Sequence, residues 1–287
     1  MIPSNLGGAL KHLRDAFSKA GIETPELDAR LLLEWATGAD RLMVLTSPER
    51  NVDAGQTAKL LDAMRRRLAH EPVHRIIGRR GFYGREFDLS KETLEPRPDT
   101  ECLVELVLKH LRGRDDEALS LLDLGTGTGI IAISLLTHLP NGRAVATDIS
   151  PGALEMCGRN AQTNGVHLRL TCLQSNWFEA VEGRFDVIVS NPPYIPTDVI
   201  GSLSRGVREF DPPHALDGGA DGLDAYRDLA AGVMAHLARG GLVALEIGHD
   251  QRNVVCRIFE AAGFDLREAA KDLGGRDRAV LFTRSDG

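Results

Sequence analysis

The sequence predicts an α/β fold: a Rossmann-like, doubly wound sheet of seven strands, preceded by a small helical bundle and joined to it by a hairpin linker. Three observations carry this. From residue 99 onward, short apolar runs alternate with stretches of helical periodicity, the pattern of a parallel sheet wrapped by helices. A glycine-rich turn follows the first of those runs. The first seventy residues show helical spacing and no strand pattern.

In the N-terminal part, Leu6, Leu10, Leu13 and Phe17 fall on one helix face, and Leu27, Leu31 and Trp35 on another. Thr24, Pro25 and Glu26 read as a helix start, with Thr24 as the cap and Pro25 in the first turn. Leu60, Leu61, Met64 and Leu68 mark a further helix that ends before Pro72. A bundle over 1–75 is the economical reading. Across 76–98, Gly78, Gly81 and Gly84 alternate with Phe82, Tyr83 and Phe87, and Pro96 and Pro98 follow, which suggests a hairpin or irregular linker. The second domain is then 99–287. Its strands are expected at 119–124, 144–147, 168–172, 185–190, 242–247, 264–267 and 279–283, and helices at 130–138, 151–164, 222–238 and 251–262. The run at 119–124 is nearly all apolar, as in a strand covered on both faces. Ser150 caps the helix that Pro151 opens.

Composition narrows the function by exclusion. With 43% hydrophobic and 26% charged residues, the chain has material for a real core. A net charge of −7 offers no general attraction for a polyanion. The one short basic run, Arg65-Arg66-Arg67, points three ways on a helix and reads as a solvated face. No direct nucleic-acid partner is expected. Cys102, Cys157, Cys172 and Cys256 form no CxxC pair and read as buried, reduced thiols. The nine histidines form no HExxH or HxH cluster, so no metal is expected. The N-terminus lacks an apolar signal core, and no stretch approaches the roughly 18 apolar residues of a membrane span. A cytoplasmic protein without a membrane partner is the expectation.

The turn after the first strand reads Asp123-Leu124-Gly125-Thr126-Gly127-Thr128-Gly129. Glycines at every second position let the main chain approach a ligand closely at the carboxyl edge of a sheet. The spacing is GxGxG rather than the dinucleotide GxGxxG. Asp148 ends the second strand, where an acidic side chain can accept both hydroxyl hydrogens of a ribose.

A second motif, Asn191-Pro192-Pro193-Tyr194, follows the strand at 185–190 directly. The two prolines cannot continue a central strand, and they stiffen the turn. Asn191 is thereby held at the carboxyl edge, beside the glycine loop. An amide or amine substrate must point its nitrogen at an electrophilic methyl while its two hydrogens meet acceptors. The Asn191 side-chain oxygen and the Pro192 carbonyl can supply those acceptors, and Tyr194 offers a flat face for a planar group. No strong base is needed, because the proton can leave after methyl transfer. Positioning and electrostatics would carry the rate.

With these motifs on the page, the chain resembles the peptide-chain release factor glutamine methyltransferases, the PrmC/HemK family. The resemblance spans nearly the whole chain. It includes Leu27-Asp28-Ala29-Arg30-Leu31-Leu32 and Glu71-Pro72, Glu95-Pro96-Arg97-Pro98-Asp99-Thr100-Glu101, the glycine loop, the Asn191 motif and Glu246-Ile247-Gly248. It implies a methyltransferase sheet and transfer of a methyl group from S-adenosylmethionine to N5 of the glutamine in the GGQ motif of release factors, leaving S-adenosylhomocysteine. It implies that Gly125, Thr126, Gly127, Thr128 and Gly129 line the cofactor, that Asp148 takes its ribose and that Trp177 packs on its adenine region. Asn191 then lies near both cofactor and substrate. Pro192, Pro193 and Tyr194 complete the substrate site, Arg97 shapes its entrance, and the bundle recognises the release factor. Three positions depart from the family's pattern: Glu95 where an apolar residue is usual, Asn176 where Asp is common, and Asp211 where Glu is usual.

Three other readings share features of this sequence. A glutamine methyltransferase acting on a ribosomal protein looks alike outside the Arg97–Glu101 stretch. An adenine-N6 methyltransferase on nucleic acid poses the same geometric problem at an exocyclic amine, but needs a basic groove. A cofactor-binding fold serving only as an interaction protein would have no reason to keep both Asp148 and the Asn191 motif.

Overall fold

The structure, a computed structural model, describes residues 2–285. It separates into two compact units: the chain up to Gly78 together with Ser204–Phe210, and Arg79–Leu203 together with the chain from Asp211 onward. Ser204–Phe210 lies inside the second domain by sequence, yet it groups with the first unit.

The first unit holds α1 (Leu6–Lys19), α2 (Pro25–Thr37), α3 (Arg41–Thr46), α4 (Ala54–Leu68) and α5 (Val73–Ile77). Leu6, Leu13, Phe17, Leu32, Leu33 and Leu60 fill its core with no exposed surface to speak of. The α2 face is one position away from the expected one. Asp28, Ala29, Leu32 and Leu33 turn inward, while Leu27 is exposed. Leu31, Leu32 and Leu33 are consecutive, so apolar spacing alone left the face open. What decides it is Asp28, which is buried and takes the Arg67 guanidinium of α4 at 2.6 Å. Arg67 is therefore an interior ion-pair partner and not part of a solvated face. Arg66 pairs with Glu71, and Arg65 with Asp62 on the surface. Thr24 stands at the N-cap of α2 but caps nothing; its hydroxyl donates to Asp28 at 3.0 Å. At α4 a full capping box joins Asp53 and Gln56.

In the second unit, β1 (Arg79–Phe82) and β2 (Arg85–Asp88) form an antiparallel hairpin. Its two turn residues, Tyr83 and Gly84, have φ of 48° and 71°, the turn geometry that matches the twist of paired strands. Phe82 and Phe87 anchor it in the core of that unit. A 3₁₀ turn at Pro98–Thr100 leads into α6 (Glu101–His110). Then come β3 (Ser120–Leu124), α7 (Ile130–His138), β4 (Arg143–Asp148), α8 (Pro151–Thr163), β5 (Leu170–Gln174) and β6 (Phe185–Ser190). After these follow a helical turn α9 (Arg205–Arg208), which belongs to the first unit, and α10 (Asp224–His236), β7 (Leu237–Glu246), α11 (Arg252–Ala261), β8 (Phe264–Lys271) and β9 (Asp277–Arg284).

The seven strands run in the order β5-β4-β3-β6-β7-β9-β8. The expected all-parallel sheet is corrected at one edge, where β9 runs antiparallel to both β7 and β8. Strands β8 and β9 extend until only 272–276 joins them, too short for the dozen or more residues of a parallel crossover. Strand β5 starts two residues later than expected because His167–Arg169 forms a 3₁₀ turn. Strand β7 starts earlier and carries an irregularity opposite Phe185–Val187. Successive residues of β3 feed separate cores, Leu121 on one face and Leu122 and Leu124 on the other. The four cysteines are free; Cys157 and Cys256 are buried, but Cys102 and Cys172 only partly so. No helix among the described residues is long and apolar enough to cross a membrane.

Candidate functional site

Strand β3 lies in the interior of the sheet, between β4 and β6. Its carboxyl end delivers the glycine loop, and the ends of its two neighbours deliver Asp148 and Asn191. The order reverses at β3: the chain winds outward to β4 and β5, then crosses back to β6. That is the switch point where ligands bind in open α/β sheets.

The loop is tied from below. Asp123 is buried, and its Oδ2 accepts the Thr126 hydroxyl at 2.7 Å and the Ala132 amide at 3.2 Å. Burial pushes its carboxyl up to about 6. The Thr126 amide donates to the Thr147 carbonyl at 2.8 Å, stitching the loop to β4. Gly127 donates its N–H to Asp148 Oδ2 at 2.9 Å, and Ser150 donates to Oδ1 at 2.9 Å. Asp148 is thus held by one backbone donor on each oxygen, which leaves lone pairs on both for a ligand. Gly129 closes the loop as the residue before α7, with φ of 83°.

Asn160 completes the scaffold, and sequence reasoning missed it. Its fully buried amide accepts from Asp88 N at 2.8 Å and donates to the carbonyls of Asp88 and Thr128 at 3.1 and 2.9 Å. One side chain therefore fixes the glycine loop to the hairpin. A polar residue on a helix that is otherwise apolar inward was its only sequence signal.

The loop, Asp148 and Asn191 share one cavity of about 230 Å³, lined also by Arg97, Thr100, Trp177 and Pro193. Of the residues singled out from sequence, Gly125, Thr126, Gly127, Thr128, Asp148, Trp177, Asn191, Pro193 and Arg97 lie on its wall; Gly129, Pro192 and Tyr194 do not. Pro192 is buried, and Tyr194 turns its hydroxyl inward to Glu246 Oε1 at 3.3 Å. Burial raises the Tyr194 phenol well above its usual range. Trp177 has φ of 47°, a left-handed conformation that a bulky residue rarely adopts. Ser175, buried below it, accepts from Ala180 N and donates to the Trp177 carbonyl, which holds the turn. A Cβ on Gly125 would sit 3.7 Å from the indole, so the loop backbone and the ring face each other at contact distance. Ile149 lines the same wall although half of it is exposed to solvent.

Asn191 follows β6, and its amide Nδ2 donates to the Thr100 hydroxyl at 3.3 Å. The loop after it is clamped by Gln251, which accepts from Gly248 N and donates to the Tyr194 and Gly222 carbonyls. Gly218 packs so close that a Cβ there would come within 2.9 Å of Pro193 O and Tyr194 Cα.

The three departures noted above have structural partners. Glu95 pairs with Arg80. Asp211 is buried, accepts the Glu95 amide at 3.2 Å and takes Arg97 at 3.4 Å. The Arg97 guanidinium, at the cavity wall, is held by this pair. Asn176 donates to Glu179 at 2.9 Å while lining the cavity. Among the described residues no group of three or more His, Cys, Asp or Glu is placed to hold a metal ion.

Comparison with known proteins agrees with this architecture. Residues 8–78 match the family profile described as PrmC N-terminal domain, and residues 100–200 the one described as Methyltransferase small domain. The Release factor glutamine methyltransferase of Agrobacterium fabrum is 47% identical, covering 94% of this chain and 94% of its own length. That of Caulobacter vibrioides is 43% identical, covering 95% and 94%. The solved structure of a ribosomal protein methylase from Lactobacillus delbrueckii subsp. bulgaricus superposes with a TM-score of 0.50 at 21% identity, covering 68% of this chain and 82% of that one, which speaks to the fold. With near-full coverage of relatives at this identity, the chain belongs to the release factor glutamine methyltransferase family.

Proposed function

We propose that this protein transfers the methyl group of S-adenosylmethionine to N5 of the glutamine in the GGQ motif of peptide-chain release factors. The observation that carries the reading is Asn191. Its Nδ2 is engaged by Thr100, so its carbonyl oxygen is the free end, at the edge of the cavity that the glycine loop lines.

The residues present fit the cofactor. Asp148 keeps acceptor capacity on both oxygens for the two ribose hydroxyls. Trp177 and the exposed Ile149 offer apolar surface for a planar base, and the left-handed glycines bring the main chain to the wall. When bound, S-adenosylmethionine would supply an electrophilic methyl on a sulfonium, with S-adenosylhomocysteine as the leaving group. An amide nitrogen is a poor nucleophile because its lone pair is delocalised into the carbonyl. Asn191 compensates by accepting a hydrogen bond from the glutamine NH₂, which fixes the direction of the nitrogen. Transfer would form the N–C bond at the expense of the S–C bond, and the proton displaced from nitrogen would be lost to solvent. Tyr194, by its inward hydroxyl, braces the loop and does not act as a base. Formation of methylglutamine in the GGQ peptide, read by peptide mass spectrometry, is the test. A release factor recovered unmodified after incubation with enzyme and cofactor would refute the proposal.

Asp148→Ala leaves the ribose hydroxyls and the Gly127 and Ser150 amides without their acceptor. Affinity for S-adenosylhomocysteine is expected to fall by about 1–3 kcal/mol in calorimetric titration. An unchanged Kd would remove Asp148 from the cofactor site.

The helical unit is proposed to recognise the release factor. A catalytic sheet can hold one glutamine but offers little surface for choosing one loop of a folded protein. Helix α3 exposes Leu42 and Leu45, at 67% and 69%, which is costly without a partner. The double substitution Leu42→Glu, Leu45→Glu is expected to raise the release-factor KM about tenfold, with S-adenosylhomocysteine affinity unchanged. Steady-state kinetics with an unaltered KM would show that this face is not used.

A further inference from the structure

The segment after β7 holds the Asn191 turn by a side chain that the mechanism above does not use. Gln251 stands at the N-cap of α11 and is buried. Its Oε1 accepts the Gly248 amide at 3.1 Å, and its Nε2 donates to the Tyr194 carbonyl at 3.0 Å and to the Gly222 carbonyl at 3.2 Å. A backbone N–H can only donate and a carbonyl can only accept, so these partners fix which end of the amide points where. Turned over, it would set its oxygen against two carbonyls and its NH₂ against an N–H. The fit is close. A Cβ on Gly222 would lie 2.5 Å from the Tyr194 oxygen and 2.9 Å from Gln251 Nε2, and one on Gly248 would lie 2.6 Å from Gln251 Oε1.

We propose that Gln251 is a positioning residue for the methyl transfer, holding the Tyr194 main chain and, through it, the Asn191 side chain in place at the cavity. The inference rests on the proposed glutamine reading. Its logic is the stiffness of the turn. Ser190, at the end of β6, is paired in the sheet with Leu124 and Leu245. Between it and Tyr194 stand two prolines, whose rings fix φ at about −65°. Asn191 and Pro192 each precede a proline, which narrows their own backbone choice. Little freedom is left between the sheet and Tyr194, so a displacement of Tyr194 is passed back to Asn191 and not absorbed on the way. Tyr194 is held at two points, its hydroxyl by Glu246 at 3.3 Å and its carbonyl by Gln251.

Gln251 also joins two walls of the cavity. Gly222 belongs to the segment that runs beside the turn, where Ile195 donates its N–H to the Leu216 carbonyl at 3.1 Å and accepts from the Gly218 amide at 2.9 Å. His214 and Ala215, just before this segment, line the cavity together with Asn191 and Pro193. One amide therefore ties the turn that bears Asn191 to the stretch that follows His214. Its three partners, Tyr194, Gly222 and Gly248, lie neither on the cavity wall nor in the glycine loop. Loss of the clamp should act on how Asn191 meets the glutamine nitrogen and leave the hold on the cofactor intact.

The test is single-turnover methylation of release factor with enzyme and cofactor both saturating. Under that condition the rate constant does not depend on how much of the enzyme is folded, so it reads positioning and not stability. Gln251→Glu keeps the shape and the acceptor for Gly248, but sets a carboxylate against two carbonyls. Gln251→Met keeps the length and offers no N–H donor. Each is expected to lower the saturated rate constant at least about tenfold. The enzyme concentration needed for half-saturation and the affinity for S-adenosylhomocysteine should match wild type. A folded variant of either kind with the wild-type rate constant overturns the proposal, as does a loss confined to half-saturation or to cofactor affinity. If neither variant folds, Gln251 serves stability alone and the proposal falls as well. Failure of the glutamine reading is distinct, since the wild type would then methylate no release factor.

Discussion

Asn191→Ala is expected to lower kcat at least about a hundredfold, the scale of one lost orienting interaction in a closed site. The side chain has two jobs in the structure. Its Nδ2 reaches Thr100, and its oxygen is left at the cavity wall. Truncation removes both, and the glutamine NH₂ then has no side-chain acceptor to fix the nitrogen. Because the nucleophile is a delocalised amide, misorientation is penalised in the chemical step as well as in binding. Cofactor affinity should change far less, because Asp148 and the loop are held by their own bonds to Gly127, Ser150 and Thr147. Single-turnover methylation at saturating release factor, with circular dichroism as the fold check, separates these effects. A folded Ala variant that transfers methyl at a near wild-type rate would reduce Asn191 to a turn residue.

The parts of this site that were legible in the sequence are those written as local strings. The glycine loop, Asp148 at a strand end and the Asn-Pro-Pro-Tyr turn each declare themselves through spacing and residue type. The parts that were not legible are joined only by the fold. Thr100 and Asn191 are far apart in sequence, as are Asn160 and Asp88, and no periodicity brings them together. Tyr194 shows the limit in the other direction. Its aromatic face suggested a platform for a planar group, but burial beside Glu246 and Arg278 turns its hydroxyl to the interior. The same holds for the fold. Alternating strands and helices announce a doubly wound sheet, whereas the reversed direction of β9 depends on how far β8 and β9 extend toward one another. The α2 face was decided by a buried Asp28–Arg67 pair that apolar patterning does not see.

The glycine loop offers the second large effect, because two of its glycines are required for different reasons. Gly129 has φ of 83°, and a Cβ there would lie 2.7 Å from Cys157 Sγ and 2.8 Å from Ile133 Cδ1. Gly127 has φ of 54°, and a Cβ there would meet nothing within 4 Å. A left-handed conformation costs a residue with a Cβ about 1–2 kcal/mol, and crowding a packed interior adds about 1–3 kcal/mol. Gly129→Ala incurs both, since Cys157 and Ile133 belong to the core beneath the loop. The expected loss is about 2–5 kcal/mol of stability, with a Tm lower by on the order of 10 °C. Moving the start of α7 would also shift Thr126 and Gly127, and cofactor affinity should fall with it. Gly127→Ala incurs only the backbone term, so its Tm should drop by a few degrees at most. Its added methyl group, however, stands at a residue that lines the cavity, so cofactor affinity should suffer more than stability does. Thermal melts and calorimetric titration of the two variants side by side decide the matter. Equal losses of Tm would mean that the packing around Cys157 relaxes freely, and that backbone conformation alone demands the glycine at 129.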